Sequence, residues 1–283
     1  MSGNKAVWLE VALNGAAGQA FQPLIPISVD DIVADGVACA KAGAAIVHVH
    51  AFTEEGQPSE DVDIYSRIIE GIKSQCDAIV YPTLGLSGSI EERFGPIEIL
   101  SQRGLLDWAV VDPGSVNISH TSLVSAGADG LLYPNPDSHI RAGLQMAARD
   151  GWKPAYAIYE PGFARLGAAM AATIENLKTP IYRIMLSDNL LFGMKPSERA
   201  VEFYAQHLAE TAPGAPWMLS GLDANVEQLI EPAVDLGAHI RVGLEDAPFG
   251  CQRSNLELLE SAVSSISRAG RNLASVEEVR ALS

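Results

Sequence analysis

The sequence predicts a (β/α)8 TIM barrel in one domain spanning residues 1–283, and three observations carry that expectation. Apolar, β-branched runs recur eight times, amphipathic stretches separate them, and neither a composition break nor an internal repeat interrupts the rhythm. Strands that alternate with helices pair in parallel, and eight such units in 283 residues fill one barrel. A doubly wound open sheet uses the same alternation, but no Gly-x-Gly-x-x-Gly follows the first strand here.

The strand candidates are residues 7–14, 45–50, 78–83, 108–112, 155–159, 182–187, 217–221 and 239–245. Their β-branched and aromatic content suits a sheet covered on both faces. Between them, residues 29–42, 62–75, 137–150, 197–211, 226–236 and 256–269 place apolar side chains at helical spacing. Ser28, Ser197 and Asn225 stand at helix starts, while Gly43, Gly151, Gly237 and Gly270 mark helix ends. Ser275 and Glu278 have capping-box spacing and predict a short C-terminal helical tail.

Composition narrows the partners. Acidic residues outnumber basic ones 35 to 19, a formal charge of −16, which repels nucleic acid and anionic membrane. An anionic substrate must then be drawn by local positive charge, such as a metal or an arginine. The three cysteines, Cys39, Cys76 and Cys251, show no metal-ligand spacing and read as thiols in a reducing cytoplasm. Residues 1–5 lack a hydrophobic signal core, and no apolar run approaches the roughly 18 residues that span a bilayer. The expectation is a cytoplasmic protein.

Barrel enzymes carry their chemistry at the C-terminal ends of the strands. Here the second strand closes on His48-Val49-His50. Strand alternation turns both imidazoles to one side, with Cα atoms about 6.6 Å apart, close enough to share one divalent metal. An isolated pair of this kind is as readily two core or surface histidines. The eighth strand adds weight, because alternation puts Arg241, Gly243 and Glu245 on one face. A guanidinium inside a barrel needs carboxylate partners, and Glu10, Glu245 and Asp246 are the candidates.

Closure sets strand eight beside strand one, and strand one beside strand two. Glu10, Glu245, His48 and His50 then share one corner of the mouth. His48, His50 and Glu245 form a three-ligand set with an open position, the pattern of a catalytic zinc site. Arg241 with Asp246 reads equally as an ion pair that supports the barrel. The third strand ends Tyr81-Pro82-Thr83, the fourth Asp112-Pro113, the fifth Glu160 and the sixth Ser187-Asp188-Asn189. His120, His139, His207 and His239 have no partner at ligand spacing, and His139 and His207 read as helix-surface residues.

Three stretches together resemble the β-keto acid cleavage enzymes, whose known member type cleaves 3-keto-5-aminohexanoate. They are Leu9-Glu10-Val11-Ala12-Leu13-Asn14-Gly15-Ala16, then residues 28–63 with Ala42-Gly43-Ala44-Ala45-Ile46-Val47-His48-Val49-His50, and Arg241-Val242-Gly243-Leu244-Glu245-Asp246. The resemblance covers nearly the whole chain and implies a zinc-bearing barrel, commonly a homotetramer. It implies a reaction of a β-keto acid with acetyl-CoA that yields acetoacetate and a shortened acyl-CoA. By position, His48, His50 and Glu245 match the family's zinc ligands, Arg241 and Asp246 its catalytic pair, and Glu10 and Thr83 its substrate contacts. Asp112 stands at the fourth-strand end, where family members often have threonine, and is taken as substrate-binding. Gly243 is expected to let substrate approach the backbone closely.

Four departures accompany the resemblance. Phe52 stands where arginine is usual, Ala247 where asparagine follows the Glu-Asp pair, Asp112-Pro113 ends the fourth strand, and Thr83-Leu84-Gly85 replaces a Thr/Ser-Gly-Gly pattern. They point to a different acyl pocket or a related reaction. Other readings are a metal-dependent barrel aldolase, lyase or hydrolase that uses no CoA, and a non-catalytic barrel module. A hydrolase of the amidohydrolase kind places its paired histidines on the first strand with more on later ones, a supply this chain lacks. No basic cluster marks a CoA site.

Overall fold

A computed structural model describes residues 6–282, so the start on which the reading of no signal segment rests lies outside the described residues. Eight strands form one parallel sheet: β1 Leu9–Ala12, β2 Ile46–Val49, β3 Ile79–Pro82, β4 Trp108–Val110, β5 Lys153–Ile158, β6 Ile181–Leu186, β7 Trp217–Gly221 and β8 His239–Val242. Their order is β3-β2-β1-β8-β7-β6-β5-β4, with β3 and β4 side by side at the remaining seam of a nearly closed barrel. Register sets Glu10 against both Arg241 and Ile46, and His48 against both Ala12 and Tyr81. The corner that the sequence assembles from strands eight, one and two therefore exists.

The enclosing helices are α1 Val29–Lys41, α2 Val62–Lys73, α3 Ile90–Gln102, α4 Asp137–Asp150, α5 Pro161–Ala171, α6 Glu198–Thr211, α7 Ile230–Asp235 and α8 Asn255–Arg268. Ser28 and Ser197 cap α1 and α6 by accepting from the backbone N–H groups of Asp31 and Ala200, and Gly151 ends α4 in the left-handed region at φ 78°. The pattern left out α3, which carries Pro96 inside it, and α5, whose alanines and glycines dilute the apolar period. The tail helix Val276–Ala281 forms, with the Ser275–Glu278 capping box in place. Among the described residues no helix is long and apolar enough to cross a membrane.

Strand β8 is shorter than expected. It stops at Val242 because Gly243 takes φ +139°, a conformation that side chains rarely adopt, and a Cβ there would stand 2.1 Å from the Ala12 carbonyl oxygen. Glu245 and Asp246 therefore reach the mouth through a turn, not by alternation, with Asp246 N and Ala247 N donating to Gly243 O. The missing side chain at 243 makes room for the β1 backbone, and the glycine also lines a cavity with Asp246 and Ala247. Gly243→Ala is expected to cost about 3 kcal/mol, because backbone cannot yield as a side-chain tip can. A urea melt that coincides with wild type would refute this account of the turn.

A second surprise lies between β4 and α4. Val116–Ile118 and Leu131–Tyr133 pair as an antiparallel hairpin that the sequence reading did not include. It delivers Tyr133 to the barrel mouth.

Candidate active site

The metal-ligand set converges. His48 Nε2 stands 3.5 Å from Glu245 Oε2, His50 Nε2 stands 3.3 Å from Glu245 Oε1, and the three ligand atoms all lie within 4.8 Å of one another. The imidazoles meet edge to face at 5.2 Å, and His48 leans on the Tyr81 ring. Side-chain clamps fix the backbone beneath them. Asn14 accepts from His50 N at 2.9 Å and donates to His50 O at 3.0 Å. The turn carrying Glu245 is held from two sides, by Gln22 donating to Leu244 O and by Leu244 N donating to Asn255 Oδ1.

Electrostatics prepare the same atoms for a cation. Burial holds His48 well below the ordinary imidazole range, so its ring is neutral and offers a lone pair. Burial alone would raise the Glu245 carboxyl, but the charge of Arg241 foremost outweighs it and holds the group well below the usual range. An ionised carboxylate and a neutral imidazole are what a divalent metal takes.

Beside this set runs a buried chain of polar contacts across four strands. Arg183 on β6 donates to the Tyr81 hydroxyl at 2.9 Å, and Tyr81 on β3 donates to Glu10 Oε1 at 2.6 Å. Arg241 donates to the same Glu10 oxygen at 2.9 Å and closes on both oxygens of Asp246, at 2.8 Å from Nη2 to Oδ1 and 3.0 Å from Nε to Oδ2. Its Nη2 also stands 3.2 Å from Glu245 Oε2, so all three candidate carboxylates meet Arg241. Burial pushes the Asp246 carboxyl up to about 6 against the pull of Arg241, helped by the nearby charges of Glu245 and Glu10.

The remaining predicted residues fall differently. Both Asp112 oxygens are occupied, Oδ1 by Ala157 N at 2.7 Å and Oδ2 by the Tyr133 hydroxyl at 2.8 Å, with Arg183 Nη2 3.8 Å away. Thr83 is half-buried just beyond β3, its N–H donating to Val49 O. Phe52 and Ala247, two of the departures, are 3% and 6% exposed and pack in one apolar cluster with Ile25, Leu244 and Leu258. Leu244 of that cluster belongs to the ligand turn, so both residues pack against it.

Tyr81, which the sequence places at the third-strand end, stands in the site with Arg183, Tyr133 and Tyr159, and the sequence reading gave no role to the last three. Arg183 carried a signal, since it interrupts the apolar run of β6 as Arg241 does in β8. His239 and His207, by contrast, have structural duties. One stacks on Trp8 at 4.2 Å and the other meets Pro161 O at 2.9 Å.

Comparison with known proteins bears on the family and the fold. The chain is 28% identical to the 3-oxoadipate:acetyl-CoA acetyltransferase of Cupriavidus necator, over 97% of this chain and 93% of that protein. It is 26% identical to the 3-keto-5-aminohexanoate cleavage enzyme of Fusobacterium nucleatum, over 91% and 90%. A third relative, 24% identical over 99% of this chain and 97% of its own length, is the 3-dehydrocarnitine:acetyl-CoA trimethylamine transferase of Rhizobium meliloti. In fold it resembles the solved complex of ObcA with oxaloacetate, at TM-score 0.72 and 17% identity, covering 92% of this chain and 67% of that one. The profile of the family described as beta-keto acid cleavage enzyme matches residues 6–283, so the barrel that gathers His48, His50 and Glu245 beside Arg241 and Asp246 belongs to the beta-keto acid cleavage enzyme family.

Proposed function

We propose that this protein is a zinc-dependent β-keto acid cleavage enzyme, which turns a β-keto acid and acetyl-CoA into acetoacetate and a shortened acyl-CoA. The observation that carries the reading is the convergence of His48, His50 and Glu245 next to the Arg241–Asp246 pair. Charge balance supports a divalent ion there. The buried network holds four carboxylates, Glu10, Asp112, Glu245 and Asp246, against two guanidiniums, Arg183 and Arg241, a deficit of two positive charges. Two histidines and a carboxylate suit zinc with a position left for substrate, and the relatives named for acetyl-CoA supply the co-substrate.

The stoichiometry dictates the bonds. Acetoacetate takes its acetyl group from acetyl-CoA and its CH2–carboxylate from the β-keto acid, so C2 bonds to the acetyl carbon as its thioester bond breaks, the freed CoA thiolate bonds to C3 as C2–C3 breaks, and C2 regains a proton. C2 must first lose a proton, and Asp246 is the carboxylate assigned to take it. Arg241 grips both Asp246 oxygens and fixes their direction, while Glu10, itself held by the Tyr81 hydroxyl, holds Arg241. Zinc, when bound, acts as a Lewis acid on the keto oxygen. Thr83 contacts the substrate with its hydroxyl. Glu10 and Asp112 act on substrate through the arginines they anchor.

The same reading makes the chain one domain and, with the family resemblance, a cytoplasmic homotetramer. The test is acetoacetate formation by metal-replete protein from 3-oxo acids, with and without acetyl-CoA. Acetyl-CoA-dependent product is expected. Cleavage that proceeds equally without acetyl-CoA would favour an aldolase or lyase and overturn the proposal.

A further inference from the structure

Along β5, Tyr156 faces outward, since its hydroxyl donates to Gly167 O on α5. Alternation then turns Ala155, Ala157 and Tyr159 toward the barrel axis, with Tyr159 at the C-terminal end where barrel chemistry resides. The small side chains of Ala155 and Ala157 leave room for Arg183, which donates to the Tyr156 and Ala155 carbonyls. Tyr159 covers that space from above. Its ring is held edge-on by Phe192 at 5.0 Å, by Tyr133 at 6.2 Å and by Phe163 at 6.3 Å, so the phenol has little freedom to swing.

The hydroxyl is the exception in this mouth. Tyr81, Tyr133, Arg183 and Arg241 all have acceptors, whereas the Tyr159 hydroxyl has no hydrogen-bond partner among the described residues. The charges that act on it are those of Asp112, Arg183, Glu245 and Arg241, all groups of this mouth. Burial first, then Asp112, push its pKa above the ordinary phenol range, so the phenol keeps its proton and acts as a donor, not a base. A preoriented donor with no acceptor, at the mouth that also holds the metal-ligand set, matches a group aimed at charge that arises only during reaction.

We propose that Tyr159 is a catalytic residue, whose hydroxyl donates a hydrogen bond to a substrate carbonyl oxygen as negative charge builds there during carbon–carbon bond exchange. The proton stays on the phenol throughout, so no bond to Tyr159 forms or breaks. The inference rests on the acyl exchange proposed above.

The test is steady-state kinetics of Tyr159→Phe, which keeps the ring and its packing, together with a variant carrying a fluorinated, more acidic tyrosine at 159. Loss of one such donor typically lowers kcat by about 100-fold. For Tyr159→Phe that loss is expected with metal content and Tm unchanged and KM for the keto acid within about threefold, because the contact matures in the transition state. The fluorinated variant should retain turnover and show a kcat that shifts with phenol acidity. Wild-type kcat in Tyr159→Phe overturns the proposal, as does a rise in KM alone or a loss that tracks falling Tm or metal. If the wild type itself makes no acetoacetate from any 3-oxo acid with acetyl-CoA, the underlying reaction falls, and this role with it.

Discussion

Replacing His48 and His50 together with alanine is expected to strip the metal and reduce acetoacetate formation at least about 1,000-fold while the barrel stays folded. Two of the three donors go, and a lone carboxylate that already faces Arg241 at 3.2 Å cannot hold zinc in competition with that guanidinium. The fold should persist because both rings lie at the mouth, and the backbone of His50 is fixed by Asn14, which the substitution leaves intact. Removing imidazoles from buried walls leaves cavities, so a modest fall in Tm is expected as well. The measurement is metal per chain by plasma mass spectrometry, on protein purified without chelating resin, with circular dichroism on the same samples. Near-stoichiometric zinc in wild type and none in the folded variant is the expected pair of results. A variant that retains both metal and turnover would remove these histidines from the site.

Much of that site was legible in the sequence because barrel geometry converts strand order into neighbourhood. Once β8, β1 and β2 are adjacent, Arg241, Glu10 and His48 have few places to go, and a buried guanidinium demands carboxylates. The route taken by Glu245 was not legible, since strand alternation and the Gly243 turn deliver it to the same corner. Distinguishing them requires the clash between position 243 and the Ala12 carbonyl, a contact between residues far apart in the chain. The surroundings of residues 52 and 247 were not legible either, because Phe52 and Ala247 share one apolar cluster, and pairing of that kind is visible only in three dimensions. Tyr133 was out of reach because its position depends on an irregular hairpin, not on the barrel period.

Asp246→Asn is expected to keep metal, fold and substrate affinity while lowering kcat by about 1,000-fold. The change preserves volume but removes both the capacity to take a proton and the charge that faces Arg241, so its consequences for turnover and for stability are read separately. If the pair were only structural, the loss of a buried charge partner would fall on stability, since Arg241 would keep Glu10 and Glu245 but lose its bidentate contact. Some destabilisation therefore accompanies either reading, and Tm alone does not discriminate. Proton exchange does. Wild-type enzyme given a β-keto acid deuterated at C2 should show a primary isotope effect on kcat if proton removal limits the rate, and should release label to water. Asp246→Asn should lose that exchange even without acetyl-CoA, because abstraction precedes any bond to the second substrate. Retained exchange in a folded, metal-loaded Asp246→Asn protein would move the base elsewhere and leave Asp246 as a support for Arg241. Loss of exchange together with wild-type metal content would place the proton on Asp246, beside the ligand turn that Gly243 creates.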